Sequence, residues 1–177
     1  LSKDDLVIAD AKKAVAVAGV MGAGNSEINT ATANILLESA FFSPVSVNRT
    51  SKNLKVRTEA SVRFERGVDI AGVSNALDRA AALMAELSGG SVAKGAVDVR
   101  SAAKKPAAVK LRLSRISKVL GIEIPKPKAL SLLKNLGFEV RENGADLDVT
   151  VPSWRAGDIE REIDVIEELA RLYGRSE

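Results

Sequence analysis

The first part of the chain alternates short apolar runs with turn-forming residues. Two runs of strand length, at 6–9 and 14–18, lead into a glycine-containing loop at 19–26. A third run, at 35–40, has the composition of another buried strand. Its one charged residue, Glu38, stands where an apolar side chain is expected, so it needs a partner.

Helical periodicity follows these runs. Residues 43–54 suit a helix entered through Pro44. Between 73 and 87 apolar side chains recur every three to four positions, and the pattern stops at Gly89. The pattern therefore predicts a first half that mixes strands and helices.

The second half begins with a different pattern. Alternation at 109–113 predicts a strand buried on one face, followed by a short helix capped by Ser114. After Pro125 a second helix carries apolar residues up to 136 and ends at Gly137.

A hairpin and a final helix complete the pattern. Strands at 138–140 and 147–151 flank an Asn143-Gly144 turn, and an amphipathic helix is predicted from 158 to 173. Helix, turn, helix and hairpin together indicate a winged-helix-like module. With the segment 104–106 as a linker, the sequence predicts an α+β chain of two domains, a mixed α/β domain at 1–103 and a winged-helix-like domain at 104–177.

The amino-acid composition limits the kinds of catalytic and metal site that these residues can form. The 177 residues are 46% apolar and 28% charged, and no apolar run is long enough to span a bilayer, so we expect a soluble protein. Cysteine and histidine are absent, which excludes thiol chemistry, Ser-His-Asp catalysis and His-metal sites within these residues. The chain begins with Leu1 and has no signal sequence, so we expect an internal piece of a longer protein.

The loop 19–26 leaves three interpretations open. It lacks the Gly-Lys-Ser/Thr ending of a phosphate-binding loop, so phosphate binding is weakly supported. A plain tight turn is the simplest alternative. The third is a bare backbone that a flat ligand can approach closely.

Charge is unevenly distributed although the net charge is only +3. Basic residues concentrate at 48–66 and at 104–118, where each block is either a solvated face or a track for a phosphate backbone. The final helix carries an acidic patch of four residues: Asp158, Asp164, Glu167 and Glu168.

The acidic patch also has two interpretations. It is either a solvated face, with Asp158 as the N-cap and Glu167 paired with Arg171, or a site for a divalent cation. Asp164 and Glu168 are like charges four residues apart, which is unfavourable without a cation between them. All-oxygen ligands would suit magnesium.

Three sequence segments, taken in order, resemble the phenylalanyl-tRNA synthetase beta-subunit family. They are Gly-Val-Met-Gly at 19–22, Arg-Thr-Glu-Ala-Ser-Val-Arg-Phe-Glu-Arg-Gly at 57–67, and the stretch from Pro-Ser-Trp-Arg at 152–155 to Gly174. The resemblance covers essentially the whole chain. It implies a cytoplasmic synthetase of two alpha and two beta subunits, in which alpha binds phenylalanine and ATP and the tRNA is that of phenylalanine.

The same resemblance implies a set of site residues. An editing pocket that hydrolyses tyrosine from mischarged tRNA would include Gly19, Gly22, Glu38 and Ala60. The small residues would leave room for an aromatic ring, and Glu38 would accept a hydrogen bond from the tyrosine hydroxyl. For the acidic patch the resemblance implies magnesium ligands near the alpha subunit.

Two other classes of protein stay open. One is a stand-alone winged-helix protein that binds nucleic acid, for which generic duplex DNA affinity with a steep salt dependence would be diagnostic. The other is a scaffold with no activity of its own.

Overall fold

A computed structural model describes residues 1–100 and 107–174. The chain separates into two compact units, Leu1–Gly95 and Ala96–Glu177. The linker predicted at 104–106, and with it the boundary between 103 and 104, lies outside the described residues.

Three short antiparallel strands open the first unit. They are β1 (Val7–Ala9), β2 (Ala14–Val17) and β3 (Met21–Gly22), in the order β1-β2-β3. The first two confirm the predicted strands at 6–9 and 14–18. The third arises because the glycine loop folds back on β2, so that Met21 lies opposite Val17.

The predicted strand at 35–40 is wrong. The segment is neither strand nor helix, and Leu36 is 99% exposed. An apolar run becomes a strand only when a neighbouring strand satisfies its backbone, and residues 1–100 supply no such neighbour here. The segment is anchored at its end, where the Ser39 hydroxyl donates to the Val73 carbonyl at 2.9 Å.

Three α-helices complete the first unit. They are α1 (Pro44–Leu54), α2 (Glu59–Phe64) and α3 (Val73–Ser88). The start of α1 at Pro44 and the end of α3 before a left-handed Gly89 (φ +67°) confirm the sequence prediction.

The second unit has the element order β4 (Ala108–Arg112), α4 (Leu113–Leu120), α5 (Lys126–Asn135), β5 (Glu139–Asn143), β6 (Asp146–Thr150) and α6 (Glu162–Tyr173). Its antiparallel sheet has the order β4-β6-β5, and Gly144 in the hairpin turn has φ +61°. The mixed helix and sheet composition confirms the predicted fold class. The finer assignment as a winged helix stays a prediction.

Two helix starts differ from the predicted ones. Helix α4 begins at Leu113 without a side-chain cap, so Ser114 lies inside the helix. Helix α6 begins at Glu162 instead of 158, because the Asp164 carboxylate accepts the backbone N–H of Glu160 and of Arg161 and caps the helix there.

A single apolar core supports the second unit. The alternation of β4 and β6 places Leu111, Leu147 and Val149 fully inside, where helices α5 and α6 cover them. Leu133 of α5 and Ile166 of α6 are equally inaccessible to solvent. Three residues of the acidic patch, Asp164, Glu167 and Glu168, are therefore carried by a helix that the core holds in place, whereas Asp158 precedes that helix.

Candidate functional site

The two glycines of the predicted editing pocket have different surroundings. Gly19 has φ +69°, and a Cβ there would come within 2.9 Å of Val47 and 3.0 Å of Phe42. Gly22 would meet nothing within 4 Å. Gly19 is therefore required by close packing beneath the loop, and Gly22 is the glycine that presents open backbone.

Ala60 lies in the first turn of α2, which is tied to the glycine loop. The Thr58 hydroxyl donates to the Val20 carbonyl at 2.6 Å, while its oxygen accepts the backbone N–H of Ser61 at 3.0 Å. The Ser61 hydroxyl in turn accepts the Thr58 N–H, which completes a reciprocal cap. The structure thus brings the start of the Ala60 helix next to the loop that carries Gly22.

Sequence reasoning missed this helix. From the sequence we interpreted residues 57–66 by their positive charge. The feature that indicates a helix is the spacing of Thr58 and Ser61. A hydroxyl residue followed three positions later by another side chain that can bond back to the backbone indicates a helix start.

Glu38 differs from its predicted environment. We expected a buried carboxylate on a strand, but the residue is exposed on the unpaired segment, and within the described residues no other group bonds to it. Partial desolvation by the surrounding protein raises its pKa above the ordinary value. Because the residue is exposed, its carboxyl group is still accessible, and a ligand would displace no partner from among the described residues.

The first basic block is only partly neutralised. Arg49 donates to the carbonyl of Asp4 at 2.9 Å, and Arg63 lies 3.6 Å from Glu59 with both side chains largely exposed. Four further cations of the block are exposed: Lys52, Lys55, Arg57 and Arg66. This leaves a cationic surface on the unit that carries Ala60.

The second basic block is largely paired within its own unit. Lys110 lies 3.0 Å from Asp146, while Arg112 and Arg115 lie 2.6 and 3.3 Å from the single carboxylate of Glu162. Lys104 and Lys105 lie outside the described residues. Three of the four described cations of this block therefore already have anionic partners, which favours a solvated face over a phosphate track.

The four acidic residues do not converge on one point. Asp158 accepts a bidentate hydrogen bond from Arg155, with a shortest distance of 2.6 Å. Glu168 is buried and accepts from Arg155 at 2.9 Å through one oxygen and from Arg171 through the other. The predicted pair of Arg171 with Glu167 is wrong, because Arg171 bonds Glu168 instead.

The other two carboxylates, those of Asp164 and Glu167, have different surroundings. Asp164 caps α6, as described above, so the predicted N-cap role of Asp158 is wrong, and Glu167 is exposed. Across residues 1–100 and 107–174, no group of three or more carboxylates is arranged to hold a metal ion. The oxygens suit magnesium chemically, but in this arrangement they do not fit it, because guanidinium or N–H groups occupy those of Asp158, Asp164 and Glu168. The magnesium assignment stays a prediction.

The pKa of Glu168 follows from these contacts. The hydrogen bond from Arg155 lowers it most, desolvation opposes that effect, and Arg171 lowers it further. Backbone hydrogen bonds from Glu160 and Arg161 likewise lower the pKa of Asp164. Both carboxylates are thus held in their charged forms by the fold.

Acid should destabilise the second unit through Glu168. Its pKa is depressed on folding, so the stabilisation is present above the ordinary value of 4.5 and is lost as pH falls through the lower folded value. We expect the free energy of unfolding to fall less steeply between about pH 5 and pH 3 in Glu168→Gln than in the wild type. Urea titrations at several pH values measure this slope. Glu167→Gln, which changes an exposed carboxylate outside the ion pairs, should keep the wild-type slope, and parallel curves for all three proteins would contradict the assignment.

Two models of known domain families match the chain. Residues 1–89 match the family model of the B3/4 domain, and residues 109–174 match that of the tRNA synthetase B5 domain. The chain is therefore a B3/4 domain followed by a B5 domain.

Individual relatives give the particular family. The phenylalanine-tRNA ligase beta subunit of Moorella thermoacetica is 51% identical over 98% of this chain, and that of Geobacter sulfurreducens is 49% identical over 98%. The chain belongs to the phenylalanine-tRNA ligase beta-subunit family, which confirms the resemblance found in the sequence. It spans about a fifth of these relatives, namely 21% and 22% of their lengths.

A solved structure also matches part of the chain. The N-terminal fragment of the phenylalanyl-tRNA synthetase beta subunit from Pyrococcus horikoshii matches 40% of this chain and 20% of its own, at 26% identity and a TM-score of 0.36. Separately, none of the described helices is both long and apolar enough to cross a membrane.

Proposed function

We propose that this chain is part of a phenylalanine-tRNA ligase beta subunit and, with an alpha subunit, supports ATP-dependent attachment of phenylalanine to its tRNA in the cytoplasm. The observation that carries the proposal is the 51% identity to such a beta subunit over 98% of the chain, with both domains in order. The chain contributes structure and recognition, while the alpha subunit supplies the site for phenylalanine and ATP.

The chain alone should not activate phenylalanine. It has no histidine, and three of the four described cations of its second basic block are engaged in ion pairs, so the described residues of the second unit offer no obvious cluster of free cations for the phosphates of ATP. Pyrophosphate exchange with phenylalanine and ATP should stay at background for the chain and appear when full-length beta is combined with alpha. Exchange by the homogeneous chain would contradict the assignment, and an inactive full-length pair would contradict the proposed function.

Editing of tyrosine-mischarged tRNA is the second part of the proposal. The open backbone at Gly22, the small exposed Ala60 and the accessible carboxyl of Glu38 support it, because an aromatic ring needs space and a hydroxyl needs an acceptor. The exposed cations Lys52, Lys55, Arg57 and Arg66 on the same unit suit the phosphates of a tRNA end. Gly19 contributes indirectly, because it allows the backbone of the loop to pack closely against Val47 and Phe42.

Magnesium binding at the acidic patch is the third part. Asp158, Asp164, Glu167 and Glu168 supply oxygen ligands of the kind magnesium prefers, and the alpha subunit is the proposed partner at this helix. When bound, the ion would supply positive charge that offsets the repulsion between these carboxylates. In the chain by itself that charge comes from arginine.

A stand-alone nucleic-acid-binding protein is the weaker candidate. The second basic block, on which it depended, is mostly neutralised by Asp146 and Glu162. Tight binding of generic duplex DNA by the chain, with a steep salt dependence, would reverse this preference.

A further inference from the structure

Trp154 presents an aromatic ring on the surface of the second unit. The residue is 61% exposed, although tryptophan side chains are largely buried on average. A Cβ on Gly137 would come within 2.7 Å of Cζ2 of the indole, so the ring lies directly against the Gly137 backbone. The ring therefore packs on backbone and still leaves much of its surface open to solvent.

The backbone that carries Trp154 is held in place on its C-terminal side. The Arg155 N–H donates to the Pro152 carbonyl at 2.9 Å, which closes a short 3-10 turn around Trp154. The Arg155 side chain is tied to Asp158 at 2.6 Å and to Glu168 at 2.9 Å. Because this turn is ordered before any ligand arrives, binding on the indole costs less conformational entropy.

A groove of about 280 Å³ lies beside the ring. It is bounded by the start of β5, the end of β6 and the turn that carries Trp154. Small-molecule sites in proteins usually occupy about 300–1,000 Å³. The groove therefore suits a single side chain and is small for a nucleotide or a cofactor.

The charge in the groove favours a cation. Of the described residues that line it, only Glu139 is charged. Glu139 is exposed, and no other group among the described residues bonds its carboxylate. The neighbouring cation Arg155 is already paired with two carboxylates, so it is not free to bind a phosphate. A free carboxylate next to an open indole attracts a cation and repels a phosphate.

We propose that this groove binds an arginine side chain from a basic segment of a protein partner, with the guanidinium stacked on Trp154 and hydrogen-bonded to Glu139. A guanidinium is planar and always charged, so it can stack on an aromatic face and donate to a carboxylate at the same time. A lysine ammonium has the charge without the flat face. Tryptophan and arginine are also enriched among the residues that contribute most of the binding energy at protein interfaces.

The single tryptophan makes the test direct, because fluorescence and the indole N–H resonance of the 177-residue chain both report on Trp154. The probe is N-acetyl-arginine amide, and its uncharged citrulline analogue is the comparison. The arginine compound should bind with a dissociation constant on the order of 1 mM, and the analogue at least about fivefold more weakly. Equal binding of the two compounds, or binding of neither, overturns the proposal.

Two matched carboxylate variants locate the binding site. Glu139→Gln should weaken binding of the arginine compound about three- to fivefold, because it removes the charge and keeps the shape of the side chain. Glu123 is exposed in the same unit and does not line the groove, so Glu123→Gln should bind like the wild type. Equal losses in the two variants, or no loss in either, overturn the proposal.

Loss of the ring should have the larger effect. Trp154→Leu should abolish binding, measured by saturation-transfer NMR on the arginine compound, whereas Trp154→Phe should keep part of the affinity. If circular dichroism shows that Trp154→Leu is unfolded, the comparison of Glu139→Gln with Glu123→Gln still decides. Adenosine monophosphate is the last probe. If it binds at Trp154 more tightly than the arginine compound, the ligand is a nucleic-acid base and the proposal is overturned.

Discussion

Replacing Gly19 with alanine should lower the free energy of unfolding of the first unit by about 2–4 kcal/mol. Two costs combine. The backbone at Gly19 is left-handed, with φ +69°, which an L side chain resists, and the new methyl group would lie 2.9 Å from Val47 and 3.0 Å from Phe42. Phe42 also packs against Phe64 in a tilted arrangement with ring centroids 5.0 Å apart, so a shift of Phe42 away from the new methyl group would disturb that pair.

The measurement can separate the two units. The single tryptophan and the single tyrosine, Trp154 and Tyr173, both belong to the second unit, so fluorescence reports on that unit alone. Urea unfolding followed by far-ultraviolet circular dichroism should show an earlier transition in Gly19→Ala, while the Trp154 fluorescence transition should stay in place.

Gly22→Ala is the matched control for this prediction. Its Cβ would meet nothing within 4 Å and its φ is not positive, so the unfolding free energy should change by about 0.5 kcal/mol or less. Equal destabilisation by the two substitutions would show that the packing at Gly19 is not the reason for its glycine.

The sequence predicted those elements whose stability is encoded locally. Helix α3 and the β5-β6 hairpin follow from an apolar period and a turn residue, and both were found close to their predicted bounds. The strand predicted at 35–40 was wrong for the opposite reason. Its composition suits a strand, but a strand also needs a neighbour, and no local pattern states whether one is present.

In the candidate sites, too, the features encoded by local sequence could be predicted, and those that depend on tertiary packing could not. The sequence identified the acidic residues of the final helix, because helical geometry alone places Asp164, Glu167 and Glu168 on neighbouring positions. It could not show that Arg155, thirteen positions before Glu168, bonds that carboxylate, since the contact depends on how the turn before α6 packs. It also could not distinguish Gly19 from Gly22, which differ because Val47 and Phe42 pack closely against Gly19 alone.

In the full-length enzyme, Glu38→Ala should reduce the preference for hydrolysing tyrosine-charged over phenylalanine-charged tRNA by about 10- to 100-fold. The two amino acids differ by one hydroxyl, and the carboxyl of Glu38 is the proposed acceptor. It is accessible and without a partner within the described residues, so loss of the side chain should leave the fold unchanged. Glu38→Gln retains an acceptor oxygen and should keep part of the preference.

A matched control identifies an effect of charge alone. Glu27 is another exposed carboxylate close to the glycine loop, and Glu27→Ala should keep the wild-type preference.

Ala60→Trp should slow release of both amino acids instead, because bulk beside the loop excludes either ring. Deacylation of each charged tRNA would be timed for every variant of the complete synthetase. A wild-type ratio of the two deacylation rates in Glu38→Ala, together with wild-type deacylation rates in Ala60→Trp, would show that neither residue belongs to the editing pocket. Normal aminoacylation by the same preparations would show that each variant enzyme is otherwise intact.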